Sequence, residues 1–204
     1  MKLINSIGPN PQAVRMFMAE RGIEMPKEDI DIVKAGENRQ GPHLQKNPAG
    51  QSPCLELDDG SYLSEITAIC EYLDEKYPGQ SLIGSTPEQR AETRMWVRRI
   101  DLNIMEPMAN GFRFSEGLKM FQDRIRCMPQ AADDLKATAA DWVAKMDGFL
   151  AGKQFVCGNR MTLADILLFV WLNFFGGVGQ KLDPNLKNVG AWFERMKARP
   201  SAAA

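Results

Sequence analysis

The sequence has no surplus of charge of either sign: its formal net charge is -1 and its pI is near 5.9. Without a basic excess, neither nucleic acid nor an anionic membrane is expected as a partner. Long hydrophobic runs are missing too. The apolar stretch from Ile166 to Phe175 is interrupted by Asn173 and followed by glycines, well short of the ~20 residues that span a bilayer, so it reads as a core helix. Met1 to Asn5 is too short an apolar run for a signal peptide, which points to a cytoplasmic protein. The four cysteines (Cys54, Cys70, Cys127, Cys157) stand far apart, without CxxC spacing and beside apolar residues. They read as free buried thiols in a reducing compartment, not as a disulfide framework or a metal site. The single histidine, His43, falls in a polar loop and reads as solvated.

What is present is enough apolar material for a sizeable core. At 204 residues and 44% hydrophobic, the chain can form one domain or two small ones. The most informative stretch runs from Asn47 to Thr67. Asn47-Pro48 and Gly50 make a loop, Leu55 and Leu57 alternate with polar neighbours, Asp59-Gly60 turns the chain, and Tyr62-Leu63 returns as a second strand. Pro53 stands where the first strand begins and is expected to be cis. A helix follows the hairpin, with Ser64 as N-cap, Glu65 in the first turn, and Ile66, Ile69, Cys70 and Leu73 at helical spacing. A bare backbone edge at Ser52 beside free N–H groups at Glu65 and Ile66 suits a short acidic peptide.

Taken in order, Lys2 to Asn5 reads as a strand and helical periodicity begins near Pro11, ending at Gly22. Asp29 to Val33 alternates like a second strand, and residues 34–50 form a loop with a helical turn near His43 to Lys46. The resulting β-α-β-loop-β-β-α order predicts a small mixed sheet with helices packed on it. Pro78-Gly79 closes that part, and Thr86, Pro87 and Gln89 form a capping box opening a helix. Helical patterns then cover roughly 88–126, 130–151, Thr162 to Phe175 and Leu186 to Lys197, with no convincing strand. Pro107 is expected to kink the first of these.

The run from Asn47 to Pro78, "NPAGQSP" followed by "LSEITAICEYLDEKYP", resembles the glutathione-binding half of cytosolic glutathione transferases, bacterial type. Gly158 to Asp165 is similar to the family's entry into its buried helix, where Thr162 and Asp165 are structural. The resemblance covers nearly the whole chain. It implies an α/β plus all-α architecture: a thioredoxin-like glutathione-binding domain over 1–78, a linker over 79–86, and an all-helical domain over 87–204 carrying the hydrophobic substrate site.

By the same resemblance, Ser52 before Pro53 pairs with the cysteinyl backbone of glutathione, while Glu65 and Gln51 face its γ-glutamyl end. The family's usual Ser after that Glu is Ile66 here, so the backbone of Ile66 and the hydroxyl of Thr67 are the substitutes. The missing hydrogen bond is worth roughly 0.5–1.5 kcal/mol. Arg39, Gln40 and Lys46 are candidates for the glycine carboxylate. Where the family presents Tyr, Ser or Cys to the sulfur, Asn10 stands in this chain, as in nu-class and nitrogen-regulator-like members. Asn10 is therefore either a thiolate hydrogen-bond donor or an N-cap of the first helix, and both readings stand; Ser6 is the alternative donor. Arg15, inside that helix, reads as an exposed ion-pairing residue. Met105, Met108 and Phe112, with Phe114, flank Pro107 and are candidates for an apolar electrophile pocket, against a plain core role.

The function implied is a dimeric transferase of detoxification type that adds the glutathione thiolate to hydrophobic electrophiles, with peroxide or mixed-disulfide reduction as side activities. The alternative is a weakly catalytic or non-catalytic regulatory member that binds glutathione or a protein. A dedicated disulfide reductase is disfavoured because the first helix has no cysteine.

Overall fold

The computed structural model describes residues 1–204 and divides into two compact units: Met1–Ile83 together with Arg199–Ala204, and Gly84–Ala198. In the first unit, β1 (Lys2–Asn5), α1 (Pro9–Arg21), β2 (Lys27–Asp29), α2 (Gly41–Lys46), β3 (Cys54–Glu56), β4 (Tyr62–Ser64) and α3 (Ile66–Lys76) follow in order. The sheet order is β2-β1-β3-β4, with β2 parallel to β1 and the other pairs antiparallel. This is the thioredoxin-like arrangement expected from the sequence. Leu3 and Ile4 of β1 and Cys54 and Leu55 of β3 are all fully buried. Neighbouring strand residues point to opposite faces, so the two central strands are covered on both.

Three local features differ from the sequence reading. The second strand lies at Lys27–Asp29 and not at 29–33, because the Asp31 carboxylate accepts from the N–H groups of Val33 (2.9 Å) and Lys34 (2.8 Å). That side-chain turn removes the following residues from the ladder. Helix α1 starts at Pro9, two residues early, with Gly8 as its N-cap, so Asn10 lies inside the first turn and is not the cap. Ser64 remains the last residue of β4, and Glu65 takes the cap position of α3 with no side-chain cap bond.

The second unit is helical: α4 (Pro87–Ile100), a wide π turn over Asp101–Met105, α5 (Glu106–Arg113), α6 (Leu118–Phe121), α7 (Ala132–Leu150), α8 (Leu163–Gly177) and α9 (Lys187–Lys197). At the cap of α4, the Thr86 hydroxyl accepts from Gln89 N (3.3 Å), while the Gln89 amide answers at Ser85 N (2.9 Å). The predicted 88–126 helix ends at Arg113. Pro107 has no N–H and its ring crowds the carbonyl of Asn103, and the preceding turn widens so that Glu106 N bonds to Asp101 O, five residues back. The chain then turns where Gly117 N meets Phe112 O at 2.8 Å. A Cβ on Gly117 would lie 2.9 Å from the Phe112 ring, so a larger residue would require that ring to shift.

Helix α8 is the core of this unit, with every residue from Leu163 to Leu172 buried. Asp165 fixes its start by accepting from Thr162 N (2.9 Å), Val156 N (2.8 Å) and Trp192 Nε1 (3.0 Å). Burial pushes its carboxyl upward, against the opposing effect of these hydrogen bonds. No helix is long and apolar enough to cross a membrane.

Candidate functional site

The candidate residues of the first unit gather around the loop before β3. Gly50 adopts φ 62°, a left-handed conformation, and a Cβ there would lie 3.1 Å from Asn38 O. The loop is held through its carbonyls. Asn38 Nδ2 donates to Gly50 O (2.7 Å), and both His43 Nε2 (2.8 Å) and Asn47 Nδ2 (3.0 Å) donate to Gln51 O. Asn47 is itself fixed, accepting from Ala49 N at 3.2 Å and donating its own N–H to His43 O at 2.8 Å. His43 is thus a buried structural donor, only 4% exposed, and not the solvated residue expected from the sequence. The bond between Ser52 and Pro53 is cis, as the sequence predicts.

Beyond this scaffold, Ser52 is tied at its side chain and bare at its backbone. Its hydroxyl meets the Ser6 hydroxyl at 2.7 Å, which brings the end of β1 against the loop. Neither its N–H nor its C=O has a partner within the chain. Register places the start of α3 alongside, because Cys54 pairs with Ser64 across β3 and β4. Glu65 follows directly. It holds φ 70°, the one positive φ outside glycine, and its exposed carboxylate bonds to nothing in the protein. A strained non-glycine residue of this kind costs roughly 1–3 kcal/mol and marks a functional candidate. Ile66 and Thr67 occupy the first turn of α3, where backbone N–H groups lack helical partners and favour an anion.

Helix α1 supplies the remaining groups. Pro9 and Pro11 flank Asn10 in its first turn, and the Asn10 side-chain oxygen is buried with no donor facing it. Arg15 turns inward: its guanidinium donates to Asn5 Oδ1 (2.7 Å) and Ser6 O (3.1 Å), and Asn5 in turn donates to Asp29 (2.5 Å). Burial lowers the Arg15 pKa, with the Asp29 charge opposing. Instead of the expected exposed ion pair, Arg15 forms an internal brace on the end of β1 and on Ser6, which follows it.

The structure does not bring every candidate to this place with a free head group. Lys46 pairs with Glu28 at 3.0 Å. Arg39 is exposed, and its Cδ runs within 3.2 Å of where a Gly50 Cβ would sit. Gln51 is exposed. Met105 and Met108 are buried in the helical unit, whereas half-buried Phe112 meets Phe121 and Phe174 edge-on, with ring centroids 6.2 and 5.3 Å apart. Cys54, which follows the loop directly, has its thiol pushed up to about 11, chiefly by burial. It is a packing residue and not a thiolate. The sequence reading missed Asn38, His43 and Asn47 as the scaffold of the loop. Of these, only Asn47 carried a local signal, an Asn before Pro in a turn.

Comparison with known proteins bears on the same region. Residues 7–76 match the family model "Glutathione S-transferase, N-terminal domain", and residues 128–200 match "Glutathione S-transferase, C-terminal domain". Glutathione S-transferase 2 of Saccharomyces cerevisiae is 30% identical over 200 residues, covering 95% of this chain and 84% of the relative. A crystal structure of a glutathione S-transferase domain-containing protein from Marinobacter aquaeolei VT8 superposes with a TM-score of 0.92 at 32% identity, covering 99% of this chain and 100% of that one. Human elongation factor 1-gamma is 31% identical over 163 residues, which is 76% of this chain but 34% of that protein. With both of its halves matched and a full-length relative at this identity, the chain belongs to the glutathione S-transferase family.

Proposed function

We propose that the protein is a glutathione transferase that uses the loop at Ser52, the start of α3 and the start of α1 to bind glutathione and ionise its thiol. The observation that carries this reading is the unpartnered Ser52 backbone beside the free Glu65 carboxylate. Ser52 N–H and C=O pair with the cysteinyl backbone of an extended tripeptide. Glu65 takes its γ-glutamyl ammonium, the N-terminal turn at Ile66 and Thr67 takes the neighbouring carboxylate, and Gln51 lies at the same end. Arg39 is the cation assigned to the glycine carboxylate in this reading, since Lys46 is engaged by Glu28.

Thiol activation falls to Asn10, which does not cap its helix. A thiol of pKa near 8.5 is only a few per cent ionised at neutral pH, and each unit of depression needs about 1.4 kcal/mol of thiolate stabilisation. An amide N–H and the positive end of α1 supply that order of energy. The thiolate then forms a carbon–sulfur bond to a hydrophobic electrophile, and the leaving group departs with its electron pair. Ser6 is the reserve donor through its hydroxyl contact with Ser52. The proposal includes a cytoplasmic homodimer, and a monomeric mass by light scattering would remove the dimer from it.

The test is calorimetric titration with glutathione, with thiolate absorbance followed against pH, on the native protein and on Asn10→Ala. Binding with a depressed thiol pKa that returns toward about 8.5 in Asn10→Ala is the expected result. Binding with an unshifted thiol supports the second reading, a regulatory member of the family. The similarity to a protein named as an elongation factor favours that reading. No binding at all removes both glutathione roles.

A further inference from the structure

We propose that His43 and Asn47 act together as a clamp on the Gln51 carbonyl that fixes the plane of the Gln51–Ser52 peptide, making them positioning residues for the N–H that pairs with glutathione. The inference rests on the glutathione reading of Ser52. The Gln51 carbonyl and the Ser52 N–H belong to one planar peptide unit, so whatever orients the carbonyl also orients the N–H. Here the carbonyl receives two donors from different places in the chain, His43 Nε2 on α2 at 2.8 Å and Asn47 Nδ2 after it at 3.0 Å. Two lone pairs, two donors: the carbonyl is saturated, and the peptide has lost its freedom to rotate.

A carbonyl can only accept. His43 Nε2 must therefore carry a proton, and Nδ1 of the same ring is buried without a partner. The side chain thus retains an unsatisfied polar atom that a phenylalanine of similar size would not have. Such an atom carries a cost, and the observed return for it is the bond to Gln51. Donation into the carbonyl also polarises the peptide, which strengthens the Ser52 N–H as a donor on its other side. The Ser6 hydroxyl at the Ser52 side chain and Asn38 at Gly50 O hold the flanking positions, so the clamp acts on a peptide whose N–H has no partner within the chain.

The chain contains one histidine, so ring nitrogen signals in a nitrogen-15 NMR spectrum belong to His43 without assignment. The expected ligand-free spectrum shows a proton on Nε2. His43→Phe keeps the ring volume and removes the donor, and should move the Ser52 amide resonance upfield and weaken glutathione binding about fivefold by calorimetry, the loss of one hydrogen bond. His43→Gln places an N–H where Nε2 stood and should restore both to within about twofold of native. A ring in the Nδ1–H form, or a Ser52 amide unmoved in His43→Phe, overturns the clamp whatever glutathione does. A displaced amide with unchanged glutathione affinity overturns the positioning role. If the native protein binds no glutathione, the transferase reading fails instead, and the clamp is judged on the ring and amide signals alone.

Discussion

Glu65 holds φ 70° although it carries a Cβ, and its carboxylate is unused by the protein. These two facts separate stability from binding at one position. Glu65→Gly should raise the unfolding free energy by about 1 kcal/mol, the released strain less the added chain entropy of glycine. It should also weaken glutathione binding by removing the counter-charge. Paired urea unfolding and calorimetry read both, and a variant less stable than native would show that the backbone is not strained there. The sequence made Glu65 visible as a helix-opening acid but placed the cap one residue too early. The roles of His43 and Arg15 were not visible at all, because each is set by a partner that only the fold brings near: Gln51 O for one, Asn5 and Ser6 for the other. A side chain's neighbours eight or ten positions away are a tertiary fact, and no local pattern encodes them.

Elements were legible where their ends carry their own chemistry. Helix α8 begins where Thr162 and Asp165 say it should, and the hairpin turns at Asp59-Gly60, with Gly60 at φ 84°. They were illegible where a competing local bond intervened, as at Asp31, or where a wider turn absorbed Pro107 and left Gly117 to end the run. Asp165 also reaches beyond its own helix, since Val156 and Trp192 donate to it from the preceding loop and from α9. Removing the carboxylate strands three buried N–H donors at once. Asp165→Ala should therefore cost on the order of 3 kcal/mol or more, and Asp165→Asn, which keeps one acceptor oxygen, distinctly less. Equal losses in thermal or urea unfolding would mean that charge, and not the set of hydrogen bonds, is what matters at that position.

On the scale of the whole molecule, the sequence reading separated a sheet-containing part from a helical part near Pro78 to Thr86, because strand signals stop there. It could not show that Arg199–Ala204 returns to the first unit. Arg199 grips Glu20 through both carboxylate oxygens (2.6 and 2.7 Å), Ser201 also donates to Glu20, and Gln12 reaches Ala202 O at 3.3 Å. Burial pushes the Glu20 carboxyl up, but the hydrogen bonds from Arg199 and Ser201 outweigh it, and the net direction is down. A depressed carboxylate contributes stability above its unfolded value of about 4.3, and that contribution is lost as the pH falls through the lower folded value. The stability gap between the native protein and Glu20→Gln should thus be largest near neutral pH and shrink below about pH 4. A gap that stays constant with pH would show that the ionic link contributes nothing. The same return makes the helical unit an insertion, a guest whose entrance and exit both belong to one host. A single backbone cut near residue 83 would then leave the sheet-containing unit gapped, still needing its last strand of contacts from the far side of the guest, so proteolysis at the linker should nick the protein without yielding two independent halves.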